Sequence, residues 1–167
     1  MSGSYYFNEG RFKEALDEYQ IREELNPEGN YWYTLFICYI FLEDNIKAIE
    51  VFQQALEENR LGVDSLGADY VNAFRDNINK SDLTGILNLI IEIYLKRSSP
   101  PSMRLASLYT ITGKTDEALD WLEKAFEDRD SNIPRINSDY EYSGLRSEPR
   151  FQALIEKMGL QDYQVPK

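Results

Sequence analysis

Any chemistry this chain performs must be done without histidine, because its 167 residues contain none. That removes histidine-based nucleophile systems, most zinc sites and the commonest general base. An enzyme here would have to rely on carboxylates, lysine or tyrosine. Asp and Glu total 29, but on the amphipathic stretches they fall on polar faces, as Glu14, Asp17 and Glu18 do. Such positions read as solvated surface and not as the paired acid and base of a hydrolase. "GKT" at 113–115 ends like a phosphate loop, yet Leu108 stands where the glycine five residues earlier is required. "DRDSN" at 128–132 begins like a calcium loop with Asp128, Asp130 and Asn132, but Ile133 replaces the glycine and Asp139 the closing glutamate. Asn79-Lys80-Ser81 is a glycosylation triplet that matters only in a secreted chain. Cys38, between Ile37 and Tyr39, reads as a buried inert thiol. No residue is assigned a catalytic, cofactor-binding or metal-ligating role.

The elements that carry these residues belong to an ordinary globular composition, with 43% hydrophobic and 28% charged residues. A formal charge of −11 argues against nucleic acid and anionic lipid, whose binding rests on clustered Lys and Arg. A single cysteine forms no intrachain disulfide. The longest apolar run, "GILNLIIEIYL" at 85–95, is too short to span a bilayer and carries Asn88 and Glu92. The segment "MSGSYYFNEGRF" has no basic stretch followed by an apolar one. These features predict a soluble, cytoplasmic protein.

Along the chain, apolar residues recur with helical period, and no alternating strand pattern of useful length is found. Phe12, Ala15, Leu16, Tyr19 and Leu25 form one stripe, entered past Gly10 and stopped at Asn26-Pro27. A second helix, about 30–43, is aromatic on nearly every side through Tyr31, Trp32, Tyr33, Phe36, Tyr39 and Phe41, which predicts burial between neighbours. "IKAIEVFQQALEEN" follows a turn at Glu43-Asp44-Asn45. "DSLGADYVNAFRDNIN" and "DLTGILNLIIEIYLKR" read as a less regular pair, with Ser81 or Asp82 able to cap the second. After Ser98-Ser99-Pro100-Pro101 come "SMRLASLYTITG" and "TDEALDWLEKAFEDRD", with Gly113 in the turn. The predicted fold class is all-α.

Small residues in the second helix of each pair test for repetition. Ala15 and Ala48 lie 33 apart, Ala48 and Gly85 lie 37 apart, and Gly85 and Ala118 lie 33 apart. A helix pair takes roughly 34 residues and cannot bury its apolar face alone, so stacking follows.

At this spacing the chain resembles the tetratricopeptide repeat. The unit near Gly29 carries the pattern with Trp32, Leu35, Tyr39, Ala48, Phe52 and Ala55, with Phe36 where a small residue is expected. The unit near Ser99 carries it with Leu105, Ala106, Tyr109, Gly113, Ala118, Leu122 and Ala125. The first matches through Gly3, Tyr6, Gly10, Ala15, Tyr19 and Pro27 but lacks about seven residues of its opening helix, which predicts a cut upstream. The unit at 64–97 departs at most positions. The resemblance implies a right-handed α-α superhelix, a solenoid of pairs at about 3–27, 29–60, 64–97 and 99–130, over residues 1–130. Residues 131–167 would be a linker and a C-terminal capping helix. In that helix Ser147 is expected to cap, Phe151, Leu154, Ile155 and Met158 to form the buried face, and Gly159 to end it.

The closing stretch, through "ALDWLEKAFEDRD", "GLRSEPRF" and "KMGL", also resembles the last segment of bacterial multidomain regulators of the adenylate-cyclase-like and TolB-like kind, although Ser138-Asp139-Tyr140 stands where they have an Asp-Pro pair. That resemblance implies a regulatory or interaction arm of a larger bacterial protein.

In tetratricopeptide arrays the first helix of each pair lines the inner groove. The resemblance therefore carries partner-binding positions onto Asn30, Tyr33, Thr34, Ile37, Ile40 and Phe41, onto Arg104, Ser107 and Ile111, and onto Ser4, Phe7 and Asn8. An aromatic groove suits an apolar helix or an extended peptide. Two structural alternatives stand beside it: the tail fills the groove through Tyr140, Tyr142 or Leu145, or Tyr33 and Phe41 pack against the next pair. The expectation is a scaffold that holds a protein or peptide, needs no cofactor and catalyses nothing. Self-association into a homodimer is one alternative. An enzyme or small-molecule sensor with a carboxylate pocket near Asp69, Tyr70, Asn72 and Arg75 is another.

Overall fold

The computed structural model describes residues 3–61 and 68–160. Among these residues there are α1 (Gly3–Asn8), α2 (Phe12–Leu25), α3 (Trp32–Phe41), α4 (Asn45–Glu57), α5 (Ala68–Asn79), α6 (Leu83–Leu95), α7 (Ser102–Ile111), α8 (Thr115–Glu127) and α9 (Pro149–Lys157), and no strand. Two 3-10 segments, Ile133–Arg135 and Tyr140–Leu145, lie between α8 and α9. The expected start of the third pair at 64 and the last seven residues of the expected tail lie outside the described residues. The chain divides into two compact units, Met1–Leu89 and Ile90–Lys167, and α6 passes from one into the other.

The same turn joins the two helices of all four pairs. Gly10, Glu43, Ser81 and Gly113 have φ of 72°, 59°, 53° and 73°. The amide of each donates to the carbonyl three residues back, and the next amide to the carbonyl five before it, at 2.8–3.1 Å. These paired bonds satisfy carbonyls that a helix end otherwise leaves without partners, and the left-handed residue makes them reachable. Asp44 and Asp82 then cap α4 and α6, accepting from the Lys47 amide at 3.1 Å and the Gly85 amide at 2.8 Å. Of the two caps expected for α6, Asp82 is the one used, while Ser81 supplies the left-handed turn.

This register corrects one alignment. The residue five past each turn is Ala15, Ala48, Ile86 or Ala118, and all four are fully buried. Ile86, not Gly85, occupies the small-residue place in the third pair, because the Gly85 amide is committed to the cap in the first helical turn. An isoleucine at the helix contact demands more room than alanine, so the third pair is the one that departs from the repeat.

In the first unit, Phe12, Ala15, Leu16, Leu35 and Cys38 form a core on which Tyr6, Phe7, Tyr19, Tyr39 and Phe41 are packed. Cys38 is buried, as its setting in the aromatic helix predicts. Phe52 of α4 touches Trp32 and Phe36 of α3 at ring distances of 6.2 and 5.8 Å and Phe74 of α5 at 5.0 Å. That aromatic chain links three helices, and Phe36, Phe52 and Phe74 are among the largest fully buried side chains. Arg60, past the end of α4, reaches back to Glu23 of α2 and to the Pro27 carbonyl at 3.2 Å, fixing the chain where it leaves the first pair.

In the second unit α7 and α8 are packed through Leu105, Ala106, Leu108, Ala118, Leu119, Leu122 and Ala125, all essentially without solvent contact. Helix α9 lies on α8 and buries Phe151, Leu154 and Ile155, with Met158 half-buried. Gly159, φ 69°, ends it as expected. The expected cap is corrected: Glu148 holds the position before the first helical residue, Pro149, and makes no side-chain cap bond, so Ser147 lies one residue too early. The helix is pinned instead by Arg150, whose guanidinium meets Asp120 at 2.6 Å and Glu123 at 2.9 Å on α8.

Candidate functional site

The partner-facing positions expected in the first unit lie on α1 and α3, except Asn30, which stands two residues before α3. Ser4 and Asn30 are exposed, and Asn8, Tyr33, Thr34 and Ile40 are half-buried. Tyr33 stands edge-on to Trp32, ring centres 5.6 Å apart. Phe41 stacks on Phe12 at 4.7 Å and 10°, and Phe7 meets the same Phe12 edge-on at 5.6 Å. Phe7 and Phe41 therefore spend one ring face or edge holding α1, α2 and α3 together and keep only part of their surface for a partner. Ile37 has no exposed surface. It is a core residue, which corrects its place among groove positions: in a ten-residue helix with apolar residues on every side, its side falls inward.

In the second unit the corresponding positions are Arg104, Ser107 and Ile111 on α7. Arg104 is exposed and Ile111 half-buried, but Ser107 is buried and already engaged. Its hydroxyl donates to a Glu141 carboxylate oxygen at 2.7 Å. One residue on, the Tyr142 hydroxyl donates to the Met103 carbonyl at 3.0 Å. Tyr142 and Leu145 are each 2% exposed. The segment Tyr140–Leu145 is thus a strap across the face of α7 that the resemblance gives to a partner. Tyr142 and Leu145 are two of the three tail residues weighed for that place, while Tyr140 is exposed. Ser107 is corrected as a free groove position because the strap covers it.

Local bonds hold the strap in shape. The Ser138 hydroxyl donates to the Arg135 carbonyl at 3.0 Å, and the Asp139 amide to the same carbonyl at 2.8 Å. Arg146 Nη2 reaches the carbonyls of Ser138 and Asp139, each at 3.5 Å, and Gln152 of α9 donates to the Arg146 carbonyl. The acids at and beside the strap ionise less readily than free carboxyls. Burial pushes the Glu141 carboxyl above its usual range, against the Ser107 hydrogen bond and the positive charges of Arg104 and Arg135, and Asp139 adds repulsion. Asp139 is likewise raised by burial, with Arg135 and Arg146 opposing, and its Oδ1 lies 3.6 Å from Arg135. Glu141 escaped the sequence reading. The available signal was an acid set between two tyrosines in a linker that otherwise has no reason to be aromatic.

Asp69, Asn72 and Arg75 are exposed on α5. Asp128 pairs with Lys124 at 3.0 Å, and Asp130 accepts from the backbone and side chain of Asn132. Among the described residues, no three acidic or thiol side chains converge as a metal site would require, and no helix is long and apolar enough to cross a membrane.

A family model of the tetratricopeptide repeat matches residues 102–127, which are α7, its Gly113 turn and α8. No curated protein and no solved structure matches the chain. The matched pair shares its turn geometry with the three preceding pairs. The fold is therefore an all-α helical repeat of the tetratricopeptide-like kind, and repeats of this type generally mediate contacts between proteins.

Proposed function

We propose that this chain is a protein-interaction scaffold that holds a peptide or protein segment against the first helices of its pairs and performs no reaction itself. The observation that carries the reading is the α3 face. In a repeat whose matched pair is of the tetratricopeptide type, α3 offers half-buried Tyr33, Thr34 and Phe41 along its length, with exposed Asn30 two residues before its start. Polar groups flanking partly exposed rings can anchor a side chain and orient a backbone, which is how extended and helical peptides are recognised. The closing segment's resemblance to bacterial regulators supports placing the scaffold as the interaction arm of a larger cytoplasmic protein. The test is a pull-down from host lysate with the wild type and an Asn30→Arg, Thr34→Arg double variant, followed by titration calorimetry on any protein recovered. A partner that binds the wild type directly and loses affinity at least tenfold with the variant supports the reading. An identical set with both proteins, or none with either, overturns it.

Self-association is the second reading, favoured by Ile21 and Leu25. They lie one turn apart on α2, 53% and 81% exposed, an apolar pair on a helix that otherwise shows charge to solvent. Light scattering across a hundredfold range of concentration distinguishes them: a mass that doubles, and returns to the monomer with Leu25→Glu, supports the dimer.

A further inference from the structure

The contacts of the strap describe a ligand as much as a linker. A carboxylate held by a buried serine hydroxyl and an adjacent tyrosine hydroxyl on a helix carbonyl are polar anchors, while Leu145 supplies an apolar one. Setting a half-buried acid against a buried neutral donor is an expensive way to make a permanent structural contact, since an apolar residue would pack at lower cost. The same arrangement is useful where a contact must be specific and reversible.

We propose that the face of α7 bearing Met103 and Ser107 is a recognition subsite for an acidic residue followed by an aromatic one, and that Glu141–Tyr142 is its resident, exchangeable occupant. This rests on reading the first helix of each pair as the partner-facing one. The partner is a peptide segment with Glu-Tyr in a 3-10 or extended turn and a leucine-like side chain three residues after the tyrosine. Its carboxylate takes the Ser107 hydroxyl, its phenol the Met103 carbonyl, and Arg104 lies close enough to favour its charge. The strap is tethered at both ends, so it competes at a high effective concentration and keeps the subsite closed to weak ligands.

The test uses the full chain and a fluorescein-labelled peptide of residues 138–145 in an anisotropy titration. Glu141→Ala with Tyr142→Phe removes from the strap the acceptor of the Ser107 hydroxyl and the donor to the Met103 carbonyl, and circular dichroism checks that the helices are unchanged. Each lost hydrogen bond weakens the strap about fivefold, so the double variant should bind the peptide about tenfold or more tightly than the wild type. Adding Ser107→Ala should cancel the gain. In the wild type itself, excess peptide should speed hydrogen exchange at the amides of 140–145. Equal binding by wild type and variant, binding by neither, or exchange that the peptide leaves unchanged overturns the proposal. The Asn30→Arg, Thr34→Arg protein separates the two ideas. Peptide binding that survives in it belongs to α7 alone, and loss of the lysate partner without loss of the peptide leaves this subsite standing.

Discussion

Glu43 adopts, in the turn between α3 and α4, the left-handed conformation that Gly113 adopts between α7 and α8, with φ of 59° against 73° and the same pair of backbone hydrogen bonds. The fold imposes this geometry on whatever residue occupies the position, and a side chain with a Cβ is strained there by roughly 1–2 kcal/mol. Part of that is recovered because glycine loses more chain entropy on folding. Glu43→Gly and Ser81→Gly should therefore each stabilise the protein by about 0.5–1 kcal/mol. A Cβ at Gly113 meets nothing within 4 Å, so Gly113→Ala should cost about 1 kcal/mol through backbone strain alone. Denaturant midpoints at constant slope check all three.

Phe52 is the ring through which α3, α4 and α5 meet. Its truncation leaves a cavity that Trp32, Phe36 and Phe74, all buried, cannot collapse to fill. Phe52→Ala should cost about 3–5 kcal/mol, read as a lower melting temperature and loss of near-ultraviolet ellipticity. A loss under 1 kcal/mol would show that the rings are not packed as described.

Helix α9 is held by two kinds of contact of different weight. Arg150 touches three acids of α8, but its side chain is 40% exposed, and solvent-screened pairs are worth roughly 0–1 kcal/mol. Phe151 is fully buried, and its loss should cost about 3 kcal/mol or more. Arg150→Met should lower protection of α9 amides only slightly, and 0.5 M salt should erase the difference. Phe151→Ala should expose α9 to exchange at any salt concentration.

The acids of the strap predict how its stability responds to pH. Glu141 and Asp139 are both raised in the folded chain by burial. A carboxyl with a raised folded pKa contributes stability that is fully present below its unfolded value, about 4, and is lost as pH rises through the folded value. Exchange at residues 140–145 should therefore be slower near pH 5 than at pH 8, after correction for intrinsic rates. Glu141→Gln, which carries no titrating group, should flatten most of that difference.

Much of the architecture was readable because it is local. The stripe of Phe12, Ala15 and Leu16, the stop at Asn26-Pro27, the turn at Gly113 and the face of Phe151, Leu154 and Ile155 each follow from spacing within one or two helical turns. Misreadings began where neighbours in space decide. Residue type alone aligns Gly85 with the alanines, but the cap at Asp82 sets the register and puts Ile86 in the contact. Ile37 looked as available as Asn30 on a helix apolar all round, and only packing distinguishes them.

The sequence by itself determined an all-α chain of helix pairs, because the apolar period, the turn residues and the prolines all act over short distances. Tertiary structure alone decided what the first helices face. Ser107 and Glu141 are 34 residues apart, and no local pattern encodes a hydrogen bond between them. It exists because α8 returns the chain to α7 and the 3-10 segments bend it across that helix. Closure of the α7 face, and the partial commitment of Phe7 and Phe41 to Phe12, depend on the same long-range packing.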